Sequence, residues 1–198
     1  MVATSSDLVP PVLLMAMPQV LDPFFQRSVV LLVHHDDEGS IGFIVNRSTG
    51  IKVSEILKGL EVGWQGDEEA VAFFGGPVQP QVGTVIFAPE ALSAEQREAT
   101  TDVMPGMSLT QHVGDLSRLA ATPPERFRLI LGYAGWGAGQ LIEEILRNDW
   151  LTAPADSDLI FTPDTERIWE EALRSVGVDP AALPSWTPVS AGGEETAN

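Results

Sequence analysis

The stretch from Gly132 to Gly139 constrains the fold more than any other part of the sequence. It holds four glycines and two aromatic residues in eight positions, after an apolar run at 128–131. Glycine can adopt a positive φ or let another backbone come close, whereas Tyr133 and Trp136 do neither readily. The pattern therefore predicts a strand that ends in a tight, glycine-rich turn.

An amphipathic segment follows this turn from Gln140. Its apolar residues recur at helical spacing, and an acidic pair lies near its start, where the helix dipole favours negative charge. We therefore expect a helix that buries one face. The residues of the apolar face are Leu141, Ile142, Ile145 and Leu146, and those of the other face are Glu143, Glu144 and Arg147.

The length and composition predict a single domain. The chain has 198 residues, 44% of them apolar and 20% charged, which suits a globular protein that buries a sizeable core. No linker divides the sequence. We expect a flexible arm at 1–9, one compact domain at 10–183 and a disordered tail at 184–198.

The charge excludes several classes of partner. A formal net charge of −17 creates a field that repels phosphate backbones and anionic lipids. The densest basic group, Arg126 and Arg128, is large enough to bind only one anion. The sequence therefore predicts no direct nucleic-acid binding and no membrane binding. It has no cysteine and no readable targeting signal, and we expect a cytoplasmic protein.

Apolar runs and turn residues predict the remaining elements. Residues 89–107 lack a clear pattern, and we expect a mobile loop with at most one helical turn there. The predicted strands are Val12–Met17, Ser28–His35 and Ile41–Val45 as a hairpin, Val71–Phe74 and Val82–Phe87 as a second hairpin, and Asp158–Phe161. The predicted helices are Val53–Leu60, a short one at 113–120, and a last one that starts at Thr162-Pro163 and ends before Gly177.

No motif predicts a catalytic centre, a metal site or a cofactor. The glycine spacing at 132–139 differs from the dinucleotide fingerprint, and Trp136 would crowd a pyrophosphate. The segment His34–Glu38 has metal-ligating atoms, but adjacent residues of a strand point to opposite faces, so at most one histidine can join the carboxylates. There is no nucleophile motif of the G-x-S-x-G type and no cysteine. A non-catalytic protein is favoured.

Several segments, taken in order, resemble a known family. They are LLMAMPQVLDPFFQRSVVLLVHHDDEGSIGFIVNRS at 13–48, FFGGPV at 73–78, GYAGWGAGQLIEEI at 132–145, NDWL at 148–151, and DLIF at 158–161 before an aromatic-bearing helix. In this order and spacing they closely resemble the YqgE/AlgH family of bacterial proteins. The resemblance covers residues 10–177.

The resemblance implies a fold and suggests a role. The fold is a single α/β (α+β) domain with an irregular mixed β-sheet flanked by helices, located in the cytosol. The family has no established catalytic residues, and one branch is named for a regulatory role in exopolysaccharide (alginate) production. Three positions depart from the usual pattern: His34 replaces a Glu, Ser48 replaces a Pro, and Ile142 replaces a Glu.

Glycines and aromatic residues lie in loops at the ends of predicted strands, and this arrangement suggests a ligand-binding cleft. Arg47 directly follows an apolar strand, where it either caps the strand end or clamps a carboxylate or phosphate. Fold-defining turns are the alternative explanation for the whole set. The candidate binding residues are Asn46, Arg47, Gly75, Gly76, Tyr133, Trp136 and Gln140.

Two functions remain open at this point. The leading one is a non-catalytic regulatory or protein-binding role that works through an unknown protein partner. The alternative is a small-molecule-binding protein or an enzyme that uses the cleft near Arg47, Gly75-Gly76 and Tyr133–Gln140. The two differ in whether a small molecule copurifies with the protein.

Overall fold

A computed structural model of the protein describes residues 8–93, 95–96 and 99–184. The predicted arm and tail therefore lie almost entirely outside the described residues. The strands are β1 (Val12–Ala16), β2 (Val29–His35), β3 (Gly39–Ile44), β4 (Ser48–Lys52), β5 (Val71–Phe74), β6 (Val78–Phe87), β7 (Thr100–Met104), β8 (Met107–Thr110), β9 (Phe127–Gly137) and β10 (Trp150–Pro154). The α-helices are α1 (Val53–Gly59), α2 (Val113–Ala121), α3 (Gln140–Leu146), α4 (Ser157–Ile160) and α5 (Ile168–Ser175).

The strands form one curled, mainly antiparallel sheet. Its order is β10-β1-β2-β3-β9-β6-β8-β7, and β5 pairs with both β4 and β9. β2 lies between β1 and β3, and its residues 29–32 are buried, as expected for a continuous apolar run. The first predicted hairpin and the helices α1 and α2 are confirmed. The domain is of the predicted mixed α+β class.

β9 joins the two halves of this sheet. Its first half pairs with β6 and, in parallel, with β5, whereas residues 134–137 pair with β3. Gly132 has a φ of 70° near the change of partner. The strand continues through the predicted turn, and Gly132 lets the backbone of Gly76 and Val78 approach it closely. The turn comes later, at Gly139, whose φ is 72° directly before α3.

The Gly75-Gly76 connection crosses the backbone of β9. A Cβ at Gly76 would lie 2.2 Å from the carbonyl carbon of Tyr133, a contact that only glycine avoids. The crossing carries the chain from β5, on one edge of β9, to β6 on the other edge. The predicted hairpin of 71–74 with 82–87 is therefore wrong, because β9 lies between these strands.

Residues 89–107 contain more structure than expected. β7 pairs with β8 as a hairpin, so the prediction of an unpatterned loop is wrong for this part. The hairpin is fixed to α2 by the fully buried carboxylate of Asp115. That carboxylate accepts hydrogen bonds from Ala99 N at 3.1 Å, Thr100 Oγ1 at 3.1 Å and Thr110 Oγ1 at 3.0 Å. A tertiary contact, rather than a local pattern, orders the segment.

The predicted strand at 158–161 is instead the short helix α4. Asp156 caps this helix, because its side chain accepts from the backbone N–H groups of Asp158 and Leu159. The cap outweighs the local β-propensity of the apolar residues that follow.

The last helix begins later than predicted. α5 starts at Ile168 and not at Thr162-Pro163. Its apolar face packs on the sheet, where Trp169 donates a 2.9 Å hydrogen bond from Nε1 to the Ala16 carbonyl. Gly177, with a φ of 81°, follows the helix as expected for a C-terminal glycine.

Candidate functional site

The loop from Pro18 to Arg27 connects β1 and β2, and we call it the Phe25 loop. Arg47 holds it in place. Its guanidinium donates to two carbonyl oxygens of the loop, those of Pro23 and Gln26, the latter at 2.8 Å. Burial lowers the pKa of Arg47, and the nearby charge of Asp22 acts in the opposite direction. Arg47 therefore positions the loop rather than facing an open cleft.

Asn46 fixes the end of the same loop. Its Nδ2 donates to the Arg27 carbonyl at 2.9 Å, and its Oδ1 accepts from the Val29 backbone N–H at 2.8 Å. The side chain thus continues the hydrogen bonding of β2 beyond the strand. Phe24 adds a stacked contact with Phe74, with ring centroids 5.6 Å apart. The loop is thus held in its middle and at its C-terminal end.

Three rings pack together beside the Phe25 loop. Trp136 and Trp150 meet edge to face, with centroids 5.8 Å apart and an interplanar angle of 82°. Phe25 lies 5.8 Å from Trp150 at 85°, and 6.4 Å from Trp136 at 37°. Edge-to-face pairs are favourable because the positive ring edge meets the negative ring face. The three rings form a rigid wall.

Glu144 orients both tryptophans. Its Oε2 accepts hydrogen bonds from Trp136 Nε1 at 2.9 Å and from Trp150 Nε1 at 2.8 Å. Its Oε1 accepts from Gln140 Nε2 at 3.0 Å, and Gln140 Oε1 in turn accepts from the backbone N–H of Gly137. The helical pattern places Glu144 on the solvent side of α3, but the carboxylate is turned onto the rings.

The segment after α3 returns the chain to the sheet in a few residues. Asn148 has a φ of 63°, a left-handed conformation that asparagine tolerates better than most residues. Arg147 donates from Nε and Nη2 to the same carboxylate oxygen of Asp149, at 3.1 and 2.9 Å. Trp150 then enters β10 opposite Ala16 of β1. This pairing places the Trp150 ring next to Trp136.

Two clefts, each of about 370 Å³, open on either side of Trp136. We call the first the loop cleft. It lies between the Phe25 loop, α3 and the start of β10, with the three rings in its lining. Its polar lining residues are Gln19, Asp22, Gln140, Glu144, Arg147 and Asp149.

The second, which we call the hairpin cleft, lies along the β2–β3 turn and β9. At its mouth His34 Nε2 and Asp36 Oδ2 are 2.8 Å apart. Asp36 also accepts from the backbone N–H groups of Glu38 and Gly39, and the Glu38 contact is the main cause that lowers the pKa of Asp36. The remaining lining includes Ser40, Ile41, Val78, Tyr133, Gly135 and Trp136.

The seven predicted binding residues fall into two groups. Tyr133 lines the hairpin cleft, Gln140 lines the loop cleft, and Trp136 lies between the two. The other four support the fold: Asn46 and Arg47 hold the Phe25 loop, and Gly75 and Gly76 pack on β9. The structure thus brings three of the seven to the clefts. Ligand binding by any of them stays a prediction.

Sequence reasoning missed the rest of the loop cleft. The candidate set omits four residues of its lining: Asp22, Phe25, Glu144 and Trp150. The signal for Asp22, Phe25 and Trp150 is their place in the DPFF and NDWL segments that carry the family resemblance, and Glu144 lies in the GYAGWGAGQLIEEI segment.

The expected anion footprint at Arg126 and Arg128 is wrong. Arg128 is buried over the Phe73 ring, and its guanidinium donates to two backbone carbonyls, those of Val45 and Thr162. Burial lowers the pKa of Arg128 to about 10, so it is charged at neutral pH. Arg126 pairs with Asp158 instead. Each cation is engaged within the fold.

The described residues contain neither a cluster of metal-ligating side chains nor a helix that could span a membrane. Their His, Asp and Glu side chains form no group of three or more that could hold a metal ion. In the same part of the chain, no helix has the length and apolar character needed to cross a bilayer.

The fold and the site together define a class of protein. It is a single mixed α+β domain whose curled sheet carries two acidic clefts around one tryptophan of the joining strand. Residues 13–181 match the AlgH-like family, DUF179, and the chain belongs to this family.

Relatives and solved structures agree with this assignment. A UPF0301 protein of Myxococcus xanthus is 40% identical over 174 residues, which cover 87% of this chain and 93% of that protein. The solution structure of the AlgH protein from Pseudomonas aeruginosa has a TM-score of 0.71 and 33% identity, and covers 90% of this chain and 94% of its own. A Corynebacterium diphtheriae protein of known crystal structure has a TM-score of 0.69 at 22% identity, over 84% of this chain and 86% of its own, and shows the fold alone.

Proposed function

We propose that the protein is a non-catalytic regulatory protein that binds another protein at the surface formed by the loop cleft and the hairpin cleft. One observation carries this proposal. Segments that are far apart in the sequence and carry the family resemblance line the loop cleft or hold the loop that forms it. These are DPFF at 22–25, NR at 46–47, GYAGWGAGQL at 132–141 and NDWL at 148–151.

The chemistry of this surface supports a protein partner. Two large apolar side chains stand exposed in the cleft linings, Leu21 at 56% and Ile41 at 39%. Around them the two linings carry five carboxylates and one arginine. Aromatic and aliphatic residues within a charged rim are typical of protein–protein interfaces. A cytoplasmic location is part of the proposal, and a chain without cysteine is compatible with that reducing compartment.

Site-specific photo-crosslinking in the native cell tests the proposal. A photoreactive amino acid is placed at Leu21 or at Ile41, and the crosslinked protein is identified by mass. Leu60 is the matched control position, because it is exposed to 50% and lines neither cleft. We expect the same stoichiometric partner from both cleft positions and none from Leu60. Equal capture from all three positions, or no partner, contradicts a protein-binding role for this surface.

A second candidate function rests on the hairpin cleft. The close contact of His34 with Asp36, in a cleft that Tyr133 also lines, is an arrangement that can bind and exchange protons with a small polar molecule. Native mass spectrometry and ligand-dependent melting test this small-molecule-binding or enzymatic alternative. Gly135→Ala is the informative variant, because its Cβ would lie 3.4 Å from the Tyr133 ring, at an ordinary contact distance. Loss of a bound molecule in this variant, with stability retained, favours the alternative.

A further inference from the structure

We infer that the loop cleft binds the guanidinium group of an arginine side chain from the partner protein. This inference rests on the proposed function and specifies what the partner must present. It depends on three features of the cleft: its ring wall, its charge and its size.

The ring wall offers a surface that attracts cations. Phe25, Trp136 and Trp150 line the cleft together, and their mutual angles are fixed by edge-to-face packing. Aromatic rings bind cations through the negative potential of their faces, and tryptophan does so best. Glu144 binds both indole N–H groups, so the rings are already oriented before a ligand arrives. No ordering of the wall opposes binding.

The charge of the cleft favours a cation. Asp22, Glu144 and Asp149 line it against Arg147 alone, which leaves two formal negative charges. Arg147 donates two hydrogen bonds to Asp149, so its guanidinium group is not available for bidentate binding of an anion. Asp22 forms no ion pair within the described part of the chain, although its charge is near enough to Arg47 to act on the pKa of that group, and its Oδ1 accepts the Phe24 backbone N–H at 2.8 Å. It is the carboxylate best placed to pair with an incoming cation.

The size of the cleft and the chemistry of its wall select arginine. A volume of about 370 Å³ lies at the lower end of ligand pockets, and suits one side chain rather than a nucleotide-sized cofactor. A guanidinium is planar, stacks on aromatic faces and forms bidentate hydrogen bonds with carboxylates, whereas an ammonium is a strongly hydrated point charge. Beyond the cleft, the net charge of −17 attracts a basic segment over a longer range.

The test is an NMR titration of the full-length protein with N-acetyl-L-arginine amide, followed through the tryptophan indole N–H signals. Trp136 and Trp150 report on the loop cleft. Trp64 and Trp169 are internal controls, since neither residue lines the cleft and their Nε1 atoms donate to the carbonyls of Asp67 and Ala16. The neutral isostere N-acetyl-L-citrulline amide and the ammonium analogue N-acetyl-L-lysine amide are the matched ligands. Each titration is repeated with Asp22→Asn and with the charge-matched control Glu166→Gln.

We expect saturable shifts of the Trp136 and Trp150 signals only, with a Kd on the order of 1 mM for so small a ligand. Citrulline amide binds about tenfold more weakly, because it lacks the charge. Asp22→Asn weakens arginine binding by about threefold, the size of a partly exposed ion pair, and Glu166→Gln leaves it unchanged.

Three results would overturn the inference: citrulline or lysine amide binding as tightly as arginine amide, equal shifts of all the indole signals, or no shift at all. If the titration fails while a partner still crosslinks at Leu21, the protein-binding role stands and only the arginine assignment falls. If both fail, the surface has neither function.

Discussion

Replacing Gly76 with alanine tests whether the glycines of the crossing between β5 and β6 serve the fold or a ligand. The added Cβ would lie 2.2 Å from Tyr133 C, 2.3 Å from Tyr133 O and 2.4 Å from Ala134 N. These are backbone atoms of the central strand β9, which cannot move aside as the end of a flexible side chain can. The φ of 150° adds strain for any residue with a Cβ.

The expected cost follows from these contacts. Relieving them requires the two backbones to separate by about 1 Å, and overpacking of this kind costs about 1–3 kcal/mol. The unfavourable backbone conformation adds about 1–3 kcal/mol. We therefore expect a total near 4 kcal/mol, which lowers the melting temperature of a chain of this length by about 8–16 °C.

Gly63→Ala is the matched control, because a Cβ there meets nothing within 4 Å and the residue has no positive φ. We expect its free energy of unfolding to change by less than about 0.5 kcal/mol, as at most surface positions. Urea denaturation followed by circular dichroism, with a thermal scan, measures both variants. A Gly76→Ala protein as stable as the control would refute the packing explanation. Retained stability with lost binding of a cleft ligand would assign the glycine to the site instead.

Three other predictions concern single carboxylates. Glu144→Ala leaves the buried indole N–H groups of Trp136 and Trp150 without an acceptor, and we expect urea denaturation to show a loss of about 2–4 kcal/mol, against about half of this for Glu144→Gln, which keeps one oxygen. Asp115→Ala removes the buried anchor of the β7–β8 hairpin; it should cost about 2–4 kcal/mol, and hydrogen exchange should rise first in β7. The hydrogen bond from the Glu38 backbone N–H is the main cause that lowers the pKa of Asp36 below 3.8, so an NMR titration of Asp36 should have its midpoint under that value. The pKa of Asp36 is lower in the folded than in the unfolded protein, so the carboxylate stabilises the fold at pH values above the unfolded pKa. This stabilisation is lost as the pH falls through the folded pKa, and Asp36→Asn should remove the contribution of this residue to the pH dependence of stability.

The parts of the fold that sequence predicts are those with a strong local signal. The apolar run of β2 and the first hairpin are examples, because continuous burial and turn residues mark them directly. The second predicted hairpin failed because its two strands are separated by β9, which comes about 40 residues later in the chain. Local patterns do not contain that insertion. The same holds for β7 and β8, which depend on the buried Asp115.

The candidate site shows the same division. Tyr133, Trp136 and Gln140 were found because they lie in one glycine-rich segment with an unusual composition. Trp150 was missed because its place beside Trp136 depends on the register of β10 against β1, where it faces Ala16. Glu144 was missed because helical periodicity assigns it to the polar face. In both cases, the sequence contains the residue but not the distant partner that gives it a role.

The glycines of β9 separate what the fold requires from what the clefts require. A Cβ at Gly132 would lie 2.5 Å from Gly76 O and 2.9 Å from Val78 O, so the sheet itself requires glycine there. At Gly135 the nearest atoms are 3.4 Å or more away and belong to side chains, so packing does not exclude alanine. Gly135 is nevertheless the point where the two clefts meet, in the lining of both beside Trp136. Gly135→Ala would therefore add a methyl group where the two clefts meet without disturbing the packing of β9, so its effect on binding separates the requirements of the clefts from those of the fold.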